Sequence, residues 1–264
     1  MTDSGYVDVS TWAGTWPFDL NGWVSPARLA ARLEAAGIVE AIVSPLDAVL
    51  APDPMPANRA LLAAIEEAGD LPVRFRPAPV INPVLATWLE DLAGLADRWP
   101  GAIPAVRLLP TWHDWGPDTP GAGECVEAVS RLDMTPIVQA RMVDERALPP
   151  GAGQSVFDID ATARWLATMP DLPVVLAGLY RNELPGVAAL ENLAVDLSFV
   201  ESEDTLATVL EILPWQRVLL GTHAPLHEPL ASVAKLPEAG PDASVARLIG
   251  AASARAWVDG HRRS

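Results

Sequence analysis

Apolar and polar positions along the chain repeat one pattern: a short apolar run, a loop, then a longer amphipathic run. The first apolar run, GYVDVS, alternates Val7 and Val9 with Asp8 and Ser10, as a strand does. SPARLAARLEAAG reads as the first helix, with Ser25 as N-cap, Pro26 in the first turn and Gly37 closing it. VEAIVSP is a second strand, and PANRALLAAIEEAG a second helix ended by Gly69. LPVRFRPAPVINP, GAIPAVRLLP, TPIVQARM, DLPVVLAGL, NLAVDLSFV and QRVLLGT follow as strands three to eight. Between them lie the helical stretches VLATWLEDLAGLADRWP, GECVEAVSRLD, DIDATARWLATMP, RNELPGVAALE and EDTLATVLEILP. The helix RNELPGVAALE is expected to be broken by Pro185, and DASVARLIGAASARAWV closes the chain as helix.

Strands rich in Val, Ile and Leu are those of a parallel sheet buried on both faces. An open doubly wound sheet is one way to build with such units. Eight of them favour a closed α/β barrel, a (β/α)8 TIM barrel, as a single domain over residues 1–264. The longest loop-like stretches, 45–57, 110–121, 142–158 and 222–241, follow strands two, four, five and eight. A pocket is expected there, because barrel sites are built by the loops after the strands.

Composition narrows the function classes. With 18 basic against 34 acidic residues, the net charge of −16 argues against nucleic acid or an anionic membrane as partner. No apolar run reaches the length of a membrane span, and MTDSGYVDVS lacks the features of a signal peptide. The single cysteine, Cys125, makes no internal disulfide, so a cytoplasmic protein is expected. The single lysine, Lys235, lies in SVAKLPEAG, which reads as a loop and is a poor setting for a Schiff-base lysine.

The order of VDVSTWAG, GAIPAVRLLP, TPIVQARM, DLPVVLAGL, ENLAVDLSFV and QRVLLGTHAPL resembles the amidohydrolase-related barrels over nearly the whole chain. That branch includes metal-dependent hydrolases, decarboxylases and lactonases. Ala252 and Ser253 stand where the family's final helix carries an Asn-Ala pair. The resemblance implies His-x-His after the first strand, a histidine after the fifth and another after the sixth, and an aspartate after the eighth. These bind one or two divalent metals that activate water. Here the matching positions read Ser10 and Trp12, then Ala140 or a neighbour, Gly178 and His223. A serine hydroxyl is a poor zinc ligand, an indole N–H has no lone pair for a metal, and glycine has no side chain. No metal and no other cofactor is therefore expected. Ser10 and Trp12 either fill the floor where relatives hold a metal, or Trp12 is an ordinary core aromatic. His113, His223 and His227, with Asp114 and Glu228, form a weak substitute ligand set without standard spacing. His261 lies in a polar tail and reads as solvated.

Polar residues at strand ends supply the candidate pocket. Arg107, Gln139, Arg141, Asp196, Thr222 and Trp12 are the expected ligand-binding residues, with Asp144, Glu145, Arg146 and Ser198 nearby. Arg107 and Arg141 belong inside the barrel or at its mouth, either paired internally with Asp8 or Asp196 or holding a carboxylate. Trp12, Trp16, Trp23, Trp112 and Trp115 crowd the loops after strands one and four, as mutual packing, a stacking wall or an interface. The leading expectation is an amidohydrolase-like barrel without its metal, binding a small anionic or carboxylate-bearing molecule at its C-terminal face. Two alternatives stand beside it. One is a metal-independent hydrolase of lactonase type with His223 as general base. The other is an interaction subunit, docking through the tryptophan loops. A homo-oligomer is compatible with either, and whether any catalysis remains is left open.

Overall fold

The computed structural model describes residues 5–18, 22–144, 155–236 and 243–259. Glu145, Arg146 and His261 lie outside the described residues. Among the described residues nine strands and their helices follow in order: β1 (Tyr6–Thr15), β2 (Trp23–Val24), α1 (Pro26–Ala35), β3 (Ile38–Pro45), α2 (Met55–Ala68), β4 (Arg74–Pro77) and α3 (Trp88–Arg98). Then come β5 (Ala105–Leu108), α4 (Ala122–Arg131), β6 (Thr135–Gln139), α5 (Ile159–Leu166), β7 (Val174–Ala177), α6 (Leu184–Val187), β8 (Leu193–Asp196) and α7 (Thr205–Leu210). β9 (Val218–Leu219), α8 (Pro229–Ala234), α9 (Ala243–Arg247) and α10 (Ala254–Asp259) complete the chain.

Local chemistry accounts for most boundaries. Ser25 accepts a hydrogen bond from the Arg28 amide at the start of α1, as expected of an N-cap. Asp158 and Asp204 do the same for α5 and α7. Two expectations change. Pro185 does not break its helix: it sits in the first turn of α6, where its missing N–H costs nothing. Lys235 is not in a loop but is the C-cap of α8, with its ammonium on the Leu197 carbonyl at 2.8 Å. The closing helix carries a π-helical stretch, Leu248–Ser253, between α9 and α10.

The strands form two sheets, β2-β1-β3-β4 and β5-β6-β7-β8-β9, in which all pairings except the β1–β2 hairpin are parallel. Backbone hydrogen bonds join the sheets at both seams. At one, Arg107 donates to the Pro79 carbonyl at 2.8 Å and its own carbonyl accepts from Ile81. At the other, Val9 donates to Leu220, His223 to Ser10 and Trp12 to Ala224. Eight parallel strands thus run around a barrel, and β2 is an added hairpin arm.

Alternation along the strands separates two apolar layers. Val106, Leu108, Val138, Ala140, Leu176, Val195 and Leu220 face the helices. Val9, Ala105, Ile137, Val175, Ala177, Ala194 and Leu219 face inward, and Ala254 and Val258 of α10 close the N-terminal end. None of the described helices is long and apolar enough to cross a membrane.

Asp8 fastens the β1–β9 seam. Its carboxyl is fully buried and accepts from the Ser10 amide at 2.9 Å, the Thr222 amide at 3.0 Å and the Thr222 hydroxyl. Burial pushes it up from 3.8 to about 7; the three hydrogen bonds oppose that, and the charge of Asp196 adds to it. The folded chain holds this proton more tightly than the unfolded one. The resulting stabilisation is complete below about pH 4 and is lost as pH rises through about 7. Urea midpoints across pH should therefore show wild type losing roughly 1.4 kcal/mol per pH unit relative to Asp8→Asn in that window. A pH-independent difference would show that Asp8 is ionised in the folded protein throughout.

Candidate functional site

The barrel interior above the apolar layer is filled by a polar network centred on Arg107. Arg107 is fully buried on β5. Its Nε donates to Ser44 Oγ at 2.8 Å, one terminal nitrogen to Gln139 Oε1 at 2.5 Å and the other to the Val9 carbonyl at 3.1 Å. The guanidinium carbon lies 4.6 Å from the centre of the Trp12 ring, a cation–π contact. Burial lowers its pKa to about 10, against the pull of Asp196 and Asp8, so it stays a cation at neutral pH. Gln139 passes the chain on, with its Nε2 donating to the Arg141 carbonyl at 2.8 Å.

Trp12 and His223 close the middle of the barrel. The indole Nε1–H donates to His223 Nδ1 at 3.2 Å, and His223 Nε2 lies 2.7 Å from the Met142 carbonyl. These two contacts fix the neutral tautomer with its proton on Nε2. Burial, first of all, holds the imidazole well below its ordinary pKa. In this arrangement neither ring nitrogen is available to take a proton. His223 also sits at φ 57°, uncommon for a residue with a side chain. Asp196 accepts from the Gly178 amide at 2.8 Å and the Ser198 hydroxyl at 3.0 Å through one oxygen; its other oxygen and the Ser10 hydroxyl are buried with no hydrogen-bond partner. Burial raises the Asp196 pKa.

Arg141 does something different from Arg107. It lies beyond the end of β6 and forms a two-pronged ion pair with Glu183, at 2.6 and 2.8 Å, and also donates to the Gly178 carbonyl. Its guanidinium carbon stacks 3.8 Å from the Tyr180 ring centre. Glu183 in turn accepts from the Tyr180 amide at 2.7 Å. These bonds fix the single 3-10 turn Arg181–Glu183 after β7. The sequence reading offers these arginines Asp8 or Asp196 as an internal partner, beside a ligand carboxylate. The structure instead gives Arg141 to Glu183, while Arg107 feels the two aspartates only as nearby charges.

That turn forms one wall of a cavity of about 560 Å³ at the C-terminal face. Asp144 follows β6; Tyr180, Arg181 and Asn182 follow β7; Phe199 and Glu201 follow β8; His227 follows β9. Trp12, Arg107, Gln139, Arg141, Asp196, Thr222 and His223 all lie beneath it, buried in the barrel and absent from its described lining. Sequence reasoning missed Tyr180, Arg181, Asn182, Phe199 and Glu201. The available signal was YRNE directly after a strand, a polar turn with a glutamate placed to bond back to its first residue.

The tryptophan loops largely pack on one another. Trp16 meets Trp112 edge-on at 5.5 Å, Trp115 meets Trp165 at 6.3 Å, and Trp12, Trp16 and Trp115 are buried. Trp23, on the hairpin arm, is the exception at 58 % exposed. His113 is on the Ala48 carbonyl at 3.0 Å and does not join His223 and His227, whose rings are 5.2 Å apart.

Neither a protein-family model nor a curated protein matches this sequence. Solved structures do match its fold. A 2,6-dihydroxybenzoate decarboxylase from Rhizobium aligns with TM-score 0.71 at 16 % identity, over 97 % of this chain and 98 % of its own. A dihydroxybenzoic acid decarboxylase from Polaromonas sp. JS666, with bound manganese and the inhibitor 2-nitroresorcinol, aligns with TM-score 0.72 at 15 % identity, over 98 % of each chain. Amidohydrolase 2 from Bifidobacterium longum subsp. infantis gives 0.63 at 14 % identity, over 97 % and 98 %. The fold of this chain is the barrel those proteins share.

The interior does not suit a divalent metal such as that manganese. Trp12 presents a hydrogen to His223 rather than a lone pair. Ala140 faces the helices. A side chain at Gly178 would meet Gln139 Nε2 at 2.8 Å and the Arg141 carbonyl at 3.0 Å, so the Gln139 amide holds the space a ligand there would need. Among the described residues no group of three or more His, Cys, Asp or Glu side chains is arranged to hold a metal ion.

Replacing Trp12 with Phe keeps the ring and removes the N–H, stranding His223 Nδ1 in the interior. Chemical denaturation of Trp12→Phe should show a loss of about 1–3 kcal/mol. An unchanged midpoint would mean that the indole–imidazole bond contributes nothing to stability.

Proposed function

We propose that this chain is a single barrel domain of the amidohydrolase type that works without the metal centre. In this reading it binds a small carboxylate-bearing molecule in the cavity over β6 to β9. The observation that carries this is the composition of the cavity wall. Tyr180 and Phe199 offer aromatic surface, Asn182 an amide, and Arg181 an exposed guanidinium. Arg181 is the one arginine of the described lining, which also holds the acidic Asp144 and Glu201. A guanidinium engages a carboxylate through two parallel hydrogen bonds. The volume lies in the range of sites for small organic ligands.

The carboxylate reading gains support from the decarboxylases of the same fold, one of which is known in complex with 2,6-dihydroxybenzoate. It places the anion at Arg181 rather than at Arg107 or Arg141, whose guanidinium groups already hold internal partners. Arg141 then acts through Glu183, keeping the Arg181 turn in place.

Isothermal titration with small mono- and dicarboxylates tests this. Binding should weaken about 10- to 100-fold in Arg181→Met, the equivalent of one charge-assisted hydrogen bond. Elemental analysis after incubation with manganese or zinc and desalting should find less than about a tenth of an equivalent per chain, since the donor set lacks the three protein ligands of a catalytic site. One tightly held metal per chain, or binding unaffected by Arg181→Met, would refute the corresponding half of the proposal.

A further inference from the structure

We propose that the cavity takes a zwitterion: a small carboxylate that also carries a quaternary ammonium group, seated in the aromatic corner of Tyr180, Phe199 and His227. This rests on the reading of the cavity as a carboxylate site.

Charge points to a ligand of both signs. The described lining holds one arginine, Arg181, and two acidic side chains, Asp144 and Glu201. A purely anionic ligand meets two carboxylates beside the one guanidinium. A ligand with one charge of each sign has an opposite charge to face at both ends. The net charge of the chain, −16, also favours some positive charge on whatever enters.

The rings select the kind of cation. Tyr180 and Phe199 have centres 6.2 Å apart with planes turned by 72°; Phe199 and His227 have centres 4.7 Å apart with planes turned by 55°. Three rings lining one cavity at such angles make a corner rather than a flat wall. Aromatic faces attract a cation lying within about 6 Å of the ring centre. A primary ammonium moved into that corner would lose hydrogen bonds to water that no ring replaces. A fully methylated nitrogen has none to lose, and its methyl groups pack on ring carbon. Each charged anchor follows a ring closely in the chain: Arg181 after Tyr180, and Glu201 two residues after Phe199.

The cations nearby have partners of their own. Arg141 stacks on Tyr180 at 3.8 Å, and its charge is met by the two-pronged pair with Glu183. The Lys235 ammonium, outside the described lining, bonds the Leu197 carbonyl at 2.8 Å. His227 is held neutral: burial lowers its pKa, then Lys235, while Glu201, the Ser198 backbone and Asp196 act the other way without reversing the shift. An uncharged imidazole adds a ring face without repelling a cation.

Two betaines and their carbon isosteres test this by isothermal titration at low salt and neutral pH. The pairs are N,N,N-trimethylglycine with 3,3-dimethylbutanoate, and 4-(trimethylammonio)butanoate with 5,5-dimethylhexanoate. Within a pair, shape and carboxylate are kept and only the positive charge is lost. At least one betaine should bind about 10-fold or more tightly than its isostere. Glu201→Gln, at an exposed position, should weaken that betaine about 2- to 5-fold and leave the isostere as tight or tighter. Phe199→Leu should cost the betaine about 10-fold. Should Phe199→Leu fail to fold, Glu201→Gln and the isostere pairs still decide. If the isosteres bind as tightly as the betaines, the zwitterion inference falls and the carboxylate reading stands. If 4-aminobutanoate binds more tightly than 4-(trimethylammonio)butanoate, the quaternary ammonium is overturned. If none of these compounds binds, both readings fall.

Discussion

A single buried cation, the Arg107 guanidinium, sets the terms for the rest of the barrel. A charge removed from water must be met by hydrogen bonds and by opposite charge, or the fold loses several kcal/mol. Here the bonds come from Ser44, Gln139 and the Val9 carbonyl, the aromatic face from Trp12, and the balancing charge from Asp196 and Asp8. The partners come from four strands besides its own, so satisfying one side chain fixes the mutual placement of β1, β3, β5, β6 and β8. Trp12, held over the guanidinium, then hands its N–H to His223 and closes the interior.

The open space is thereby moved outward. The interior is occupied by its own side chains, and the space that remains lies one level up, among the turns after β6 to β9. Arg141 connects the levels. Its fork holds Glu183, Glu183 holds the Tyr180 amide, and the turn between them presents Arg181 and Asn182 to the cavity. His227 reaches the same space from the opposite side of the strand order.

Much of the fold was legible because strand and helix periods differ and because Ser25, Pro26, Gly37 and Gly69 punctuate them. The inward facing of Arg107 also followed, since a charged group does not belong in the strand–helix layer, whereas the facing of Gln139 did not, because a one-residue slip exchanges it for Ala140. The β2 arm escaped notice because two residues, Trp23 and Val24, carry no period. Pro185 was misjudged because a proline one residue later in a helix breaks what it permits in the first turn. The cavity was hardest to see. Its residues are scattered from 144 to 227, and what gathers them is the Arg141–Glu183 pair, a contact across 42 positions that no local pattern encodes.

The mutual satisfaction of Trp12, His223 and Arg107 has a consequence for how such a sequence can change over evolutionary time. A substitution at any one of the three leaves another with a buried donor, acceptor or charge unanswered. Drift at these positions is therefore coupled, and neutral one-step routes out of the arrangement are few. Arg181 and Asn182, exposed on their turn, carry no such mutual debt, so variation among descendants of this chain would concentrate at those two positions, altering the cavity wall while the interior stays as it is.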